Sequence, residues 1–369
     1  MRTDKKQRTQ VAVIGAGSFG TTYAKILCDA GNDVVLWARR GAVVKEINKA
    51  HRNSQYLPEI VLPKQLRAVD DLATAVADAE IVFLAIPSNS LRDKLLAMAS
   101  YLRADAVLVS LMKGVEKSTG MRMSQVITET INWSVEQVAV VSGPNIALEI
   151  AREQPTGAVA SCVELAVAKK VAQVSTTPYF RTYINTDVTG TELGGVLKNL
   201  IAIAIGIVDG VGYGENTKAS IITRGIAEMT EFAVASGAYP TTMTGLAGLG
   251  DLITTCQSPL SRNFSAGRLI GQRYSKEQTA AKLGQLAEGL TSVDPVLRLA
   301  AQRGIEMPIV SQVKMVLDGD IQPLELGPHL AAEGSVPEPE LKLDANAESE
   351  GIWHKTKSLF RKQSDGDEQ

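Results

Sequence analysis

Histidine is scarce in this 369-residue sequence: only His51, His329 and His354 are present. A histidine proton relay or histidine-centred metal site would have to be built from these three, so acid–base chemistry falls to lysine or a carboxylate. Cysteine is as scarce. Cys28, Cys162 and Cys256 lie far apart with no CxxC pair, which argues against a disulfide framework or a structural zinc site and fits a reducing compartment. No metal is expected. An excess of one charge is also missing: 38 Lys and Arg against 40 Asp and Glu leave a formal −2, so there is no basic field for nucleic acid. Residues 1–9 are polar and basic, but no apolar h-region follows them, and no uninterrupted apolar run reaches the ~20 residues of a membrane span. These absences predict a soluble cytoplasmic protein acting on a small molecule.

What is present is enough apolar residue for more than one core. Hydrophobic residues make up 45% of a chain longer than one typical domain, so two folded domains are expected. The first opens with Gln10-Val-Ala-Val-Ile14, a buried-strand pattern that runs into Gly15-Ala-Gly17-Ser-Phe-Gly20 and then a helix over 21–30. Strand, GxGxxG and helix together form a dinucleotide fingerprint, because free N–H groups and the helix dipole at that N-terminus favour a pyrophosphate. The next strand, 34–38, ends in Ala38, Arg39 and Arg40, where an NAD-specific fold would place an acid about 20 residues past the glycines. Arginine there favours a 2′-phosphate, so NADP is preferred over NAD, although a solvated helix start would read the same way.

Further strands are expected at 66–69, 80–86, 106–110, 137–141, 156–160 and 180–184, alternating with helices. That series implies a mostly parallel, doubly wound sheet. Ligands in such sheets sit beyond the C-terminal strand ends, where the chain breaks into Pro87-Ser88-Asn89, Met112-Lys113-Gly114 and Ser142-Gly143-Pro144-Asn145. Lys113 there is either a second cation for an anionic substrate or an ordinary solvent-facing loop lysine.

After Asp187 the helical period takes over. The run Gly190 to Gly210 is aliphatic or glycine over most of its length, and Lys198 and Asn199 interrupt it side by side. Burial would depress the pKa of an unpaired lysine, which suits a proton-transfer residue; the other reading is a lysine that snorkels to the surface. Gly194 and Gly195, one turn upstream, are expected to leave room for a ligand beside it. Asn216 is expected to cap a second helix over 217–235 that delivers it to the same place. A glycine-rich turn at 244–250 leads to Asp251, and Ser261-Arg262-Asn263 is suited to a phosphate.

At these residues the chain resembles the glycerol-3-phosphate dehydrogenase family over residues 10–322. The resemblance rests on the order and spacing of GAGSFG, FLAIPS at Phe83, LMKGVE around Lys113, SGPNIALEI from Ser142, GGVLKNLIAIAIGIVDG around Lys198, GENTKASIITRGIAEM from Gly214, GLAGLGDLITTC through Asp251, and SRN at Ser261. It implies a Rossmann-type domain over 10–187 and an all-helical substrate domain over 188–322. The implied reaction is interconversion of dihydroxyacetone phosphate and sn-glycerol-3-phosphate with NAD(P)H, feeding glycerophospholipid synthesis.

Lys198 is implied as the catalytic proton acceptor and donor. Lys113, Gly143, Asn145, Asp251, Ser261, Arg262 and Asn263 are implied on the substrate; Gly15, Gly17, Ser18, Phe19, Gly20, Arg39, Arg40, Lys113, Ala147, Arg262, Leu286 and Glu288 on the cofactor. Phe19 stands where bacterial members often carry tryptophan, and Asn145 where a small hydroxyl is usual. Alternatives are a non-catalytic dinucleotide-binding regulator, separated from an enzyme by the retention of Lys198 and Asp251, or another β-hydroxyacid-type dehydrogenase with a catalytic lysine. A homodimer is left open. Residues 323–369, rich in Pro, Glu, Ser and Asp, read as a disordered tail, in which 352–362 mixes apolar and basic residues in the manner of a short surface or partner helix.

Overall fold

The computed structural model describes residues 8–284 and 287–327, all within one compact unit. Most of the N-terminal arm, Leu286, His329, His354 and the amphipathic stretch at 352–362 lie outside the described residues. Eight strands form one sheet: β1 (Gln10–Ile14), β2 (Asp33–Trp37), β3 (Arg67–Val69), β4 (Ile81–Leu84), β5 (Val107–Ser110), β6 (Val138–Ser142), β7 (Thr156–Ser161) and β8 (Phe180–Asn185). Their spatial order is β3-β2-β1-β4-β5-β6-β7-β8, parallel throughout except where β7 runs against β6.

The period of two explains why the strands read as continuous apolar runs. In β1, Val11 and Val13 enter one core with Tyr23, Ile26 and Leu27, while Ala12 and Ile14 enter the opposite core with Leu91, Leu95 and Met98. Both faces are covered, so polar alternation is absent. The strand order reverses direction at β1, between β2 and β4, and the loops after β1, β4, β5 and β6 leave the sheet at its common C-terminal edge. That edge is where a doubly wound sheet holds its ligand.

Beyond Asp187 the chain is helical. The lysine helix, Val188–Val211, is capped by Asp187, whose Oδ1 accepts from Gly190 N at 2.8 Å and whose Oδ2 accepts from Tyr239 N at 2.8 Å. Its 24 residues exceed the run legible in the sequence and are long and apolar enough to cross a membrane, but 83% of the apolar window is buried by the rest of the chain, as in a core helix. Helices Glu215–Ala235, Asp251–Gln257, Arg262–Gly271, Glu288–Arg303 and Pro308–Asp318 surround it.

Four local expectations differ. The helix after the glycine loop starts at Ser18, because Gly17 already serves as its N-cap. Asn216 is not a cap: Gly214 precedes the helix Glu215–Ala235 without a side-chain cap, and Asn216 is exposed beyond the end of the lysine helix, roughly 20 Å along the axis from Lys198. The glycine-rich segment before Asp251 is a π-helical turn, Leu246–Gly250, continuous with the helix that Asp251 begins. In the stretch expected as tail, Pro323–Glu325 form a 3-10 turn and Leu326 is fully buried in the helical core.

Candidate active site

Lys198 does not snorkel. It is 6% exposed, and its Nζ donates to Asp251 Oδ1 at 2.7 Å and Thr255 Oγ1 at 2.6 Å. Nor is it unpaired, the condition under which burial would depress its pKa: Asp251, itself 1% exposed, is its counter-ion. The second Asp251 oxygen accepts from Lys113 Nζ at 2.6 Å, and Lys113 also donates to the Gly143 carbonyl at 2.9 Å. The loop lysine therefore points inward. Burial is the largest influence on it and the neighbouring Lys198 charge adds to it, so despite Asp251 its pKa is brought down to about 8.

The glycines beside Lys198 do not hold space for a ligand. A Cβ on Gly194 would stand 2.3 Å from the Ala247 carbonyl oxygen, so that glycine admits the π-helical turn that aims Asp251. A Cβ on Gly195 would meet Lys113 Cγ at 3.2 Å and Ser142 Oγ at 2.9 Å, so the gap is filled by the second lysine on its way to Asp251.

The arginine-bearing segment arrives by backbone-to-backbone packing of two helices. A Cβ on Gly206 would lie 2.2 Å from Phe264 O, and one on Gly267 2.2 Å from Ile203 O, which only glycines four apart on both helices permit. This contact puts Asn263 Nδ2 2.8 Å from Asn199 Oδ1, while Asn263 Oδ1 accepts from Gly289 N at 2.9 Å. Arg262 begins its helix and Ser261 caps it, accepting from Phe264 N. Burial raises the Glu288 carboxyl, opposed by the positive charges of Arg262, Lys113 and Lys198.

On the nucleotide side each glycine has its own reason. Gly15 has φ +118° and a Cβ there would strike Ala85 O at 2.4 Å; a Cβ on Gly20 would strike Gly15 O at 1.9 Å. A Cβ on Gly17 would meet nothing within 4 Å. Gly17 is thus not required by packing and opens the helix N-terminus to an outside group, which fits a dinucleotide pyrophosphate. Ser18 Oγ donates to Tyr56 O at 3.3 Å, Phe19 packs edge-on to Tyr23, and the Ala147 carbonyl accepts from Thr22 Oγ1 at 3.1 Å. Arg39 and Arg40 are exposed at the end of β2. Both amide atoms of Asn145 are buried without a hydrogen-bond partner, an unsatisfied pair in the loop after β6 that a ligand would satisfy.

Sequence reasoning missed Thr255, which lies one turn after Asp251 and whose Oγ1 also donates to Asp251 O at 2.7 Å; the i, i+4 spacing from Asp251 was the available signal. It also missed Asn53, whose Nδ2 donates to Ala16 O at 3.0 Å and to Thr21 Oγ1 at 2.8 Å, because that contact spans 37 residues and no motif marks it. No group of three metal-binding side chains exists among the described residues.

The chain matches the family model for the NAD-dependent glycerol-3-phosphate dehydrogenase N-terminus over residues 10–168 and that for its C-terminus over residues 187–327. It is 57% identical over 361 residues to a glycerol-3-phosphate dehydrogenase (NAD(P)+) of Leifsonia xyli, covering 96% of this chain and 98% of that one. It is 47% identical to the protein of the same name from Streptomyces griseus over 89% of this chain and 98% of that one. Among solved structures, glycerol-3-phosphate dehydrogenase from Coxiella burnetii superposes with a TM-score of 0.82 at 33% identity, over 88% of this chain and 99% of that one. With both family models matched in order and relatives matched along nearly their full length, this chain belongs to the NAD-dependent glycerol-3-phosphate dehydrogenase family.

Proposed function

We propose that Lys198 is the acid–base residue of a reaction interconverting dihydroxyacetone phosphate and sn-glycerol-3-phosphate. The observation that carries this reading is a buried and a half-buried lysine converging on the two oxygens of one buried aspartate. An ammonium has three donors. Lys198 commits two, to Asp251 and Thr255, and its third remains for a carbonyl or hydroxyl oxygen of a substrate. Asp251 holds the ammonium in place and keeps its charge compensated, so the proton can be given to the oxygen forming at C2 and taken back in the reverse direction. The nicotinamide supplies or accepts the hydride when the dinucleotide is bound.

Lys113 likewise has one donor left after Gly143 and Asp251, beside that of Lys198, and supports binding of an anionic substrate. Arg262 at its helix N-terminus suits a phosphate, and fixing the phosphate turns a three-carbon substrate's C2 toward Lys198. Asn263 serves chiefly to hold Asn199 and Gly289, with one amide hydrogen remaining. A regulator that only binds dinucleotide has no need of two lysines on one aspartate. The arginines after β2 support a preference for NADP over NAD.

The test is consumption of NADPH and of NADH on adding dihydroxyacetone phosphate, with Lys198→Ala alongside. Wild-type turnover that the substitution lowers by at least about a hundredfold is expected. No wild-type turnover overturns the reaction, and full turnover in the variant overturns the role of Lys198. A supply of glycerol phosphate to phospholipid synthesis and a cytoplasmic location are finer readings, tested by lipid labelling in a depleted strain and by cell fractionation; the homodimer left open is tested by light scattering.

A further inference from the structure

The segment that follows the helix Gly41–Ala50 returns over the glycine loop, and the reaction described above does not account for it. His51 ends that helix in the left-handed conformation, and Leu62 N donates to its carbonyl at 2.8 Å, closing the segment 51–62 into a loop. Inside it Asn53 is fully buried, and Tyr56 N and Leu57 N donate to its carbonyl at 3.0 and 2.8 Å. The Asn53 amide ties this turn to the glycine loop through Ala16 O and Thr21 Oγ1, and Ser18 Oγ ties the same loop to Tyr56 O. The Tyr56 backbone is thereby tied to the glycine loop, and its half-buried ring lies beside Arg40 near the end of β2. The Arg40 guanidinium lies 5.8 Å from the centroid of that ring, within cation–π range.

We propose that Tyr56 is a specificity-determining positioning residue: its ring holds the Arg40 guanidinium where a ribose 2′-phosphate is met, so that discrimination between phosphorylated and unphosphorylated riboses depends on Tyr56 as well as on the arginines. An exposed arginine samples many rotamers, and an adjacent aromatic face narrows that set before any ligand arrives. Because the Tyr56 backbone is tied to the glycine loop through Asn53 and Ser18, its ring places the arginine relative to the same loop that receives the pyrophosphate. Two parts of one dinucleotide are then gauged against one frame. The inference rests on the reading that the arginines after β2 meet a 2′-phosphate.

The test is calorimetric binding of 2′,5′-ADP and 5′-ADP to the full chain, which reads the nucleotide site without turnover. Wild type is expected to prefer 2′,5′-ADP. Tyr56→Leu should weaken 2′,5′-ADP by about two- to fivefold while 5′-ADP changes less, and Tyr56→Phe, which keeps the ring, should behave as wild type. In an Arg40→Ala background the Tyr56→Leu change should add nothing, because the arginine it positions is gone. A thermal melt of each variant confirms folding. Equal weakening of both nucleotides by Tyr56→Leu overturns the inference and makes the ring an adenine support; an additive effect in the Arg40→Ala background also overturns it. A wild type that does not distinguish the two nucleotides overturns the 2′-phosphate reading and this inference with it, whereas a discriminating wild type with an unchanged Tyr56→Leu variant overturns this inference alone.

Discussion

Two of the buried carboxylates in the helical half of the molecule, Asp251 and Glu228, are held in opposite ways. Asp251 is 1% exposed and meets two lysine ammoniums, one on each oxygen. Glu228 is 6% exposed and accepts only from backbone amides, Ile309 N at 2.9 Å and Val310 N at 3.2 Å, at the start of the helix Pro308–Asp318. Burial dominates at Glu228, and the two amides offset it only in part, so its pKa is pushed up to about 7. The comparison separates two settings of a buried acid: one orders two cations, the other caps a helix end and pays for it in charge.

The difference is sharpest if the cations at Asp251 are removed. Lys198→Met leaves Asp251 with Lys113 alone, and turnover should fall by about 10²–10⁴-fold, read by initial rates over a range of substrate concentrations. A fall confined to KM would make Lys198 a binding group. At Glu228 the expected signature is in stability. The group's folded pKa of about 7 lies above its ordinary 4.5, so it favours the folded state while protonated, and that contribution is lost as pH rises from about 4.5 through 7. Relative to Glu228→Gln, the wild type should lose about 3 kcal/mol across that window in denaturant titrations. Parallel curves for the two proteins would show that Glu228 is already relieved by another partner.

A smaller effect is expected at Lys113, the second lysine on Asp251. With the Lys113 pKa down to about 8, its charge and its hold on an anionic substrate are lost above that pH, so kcat/KM should fall up to about tenfold per unit there. Lys113→Arg stays charged and should abolish that inflection, even where the different head group lowers the plateau. Survival of the inflection in the arginine variant would assign it to another group.

How much of this was legible in advance follows from what each residue depends on. The strand spans were read to within a few residues, because burial on both faces leaves near-continuous apolar runs and the glycine loop follows β1 directly. Lys198, Asp251 and Arg262 stood out as polar residues beside apolar or glycine-rich stretches. The meaning of the glycines did not. Gly194 and Gly195 read as an opening for a ligand, yet they admit the Ala247 backbone and the Lys113 side chain, since a missing side chain says only that something approaches closely and not what does. Asn216 was read as joining the site because helix periodicity places residues around an axis but not along a folded path.

The sequence by itself therefore determined the doubly wound sheet, the nucleotide loop and the presence of a lysine in a buried helix. These are local properties, set by the periods of two and 3.6 and by backbone freedom at glycine. Only the tertiary structure decided that Lys198 and Lys113, 85 positions apart, share one carboxylate, that Thr255 takes a second hydrogen bond from Lys198, and that Tyr56 stands beside Arg40. Those pairings come from helices meeting at glycines and loops returning over a sheet edge. The energy of a charge pair depends on distance and burial, and neither is written in the order of the residues.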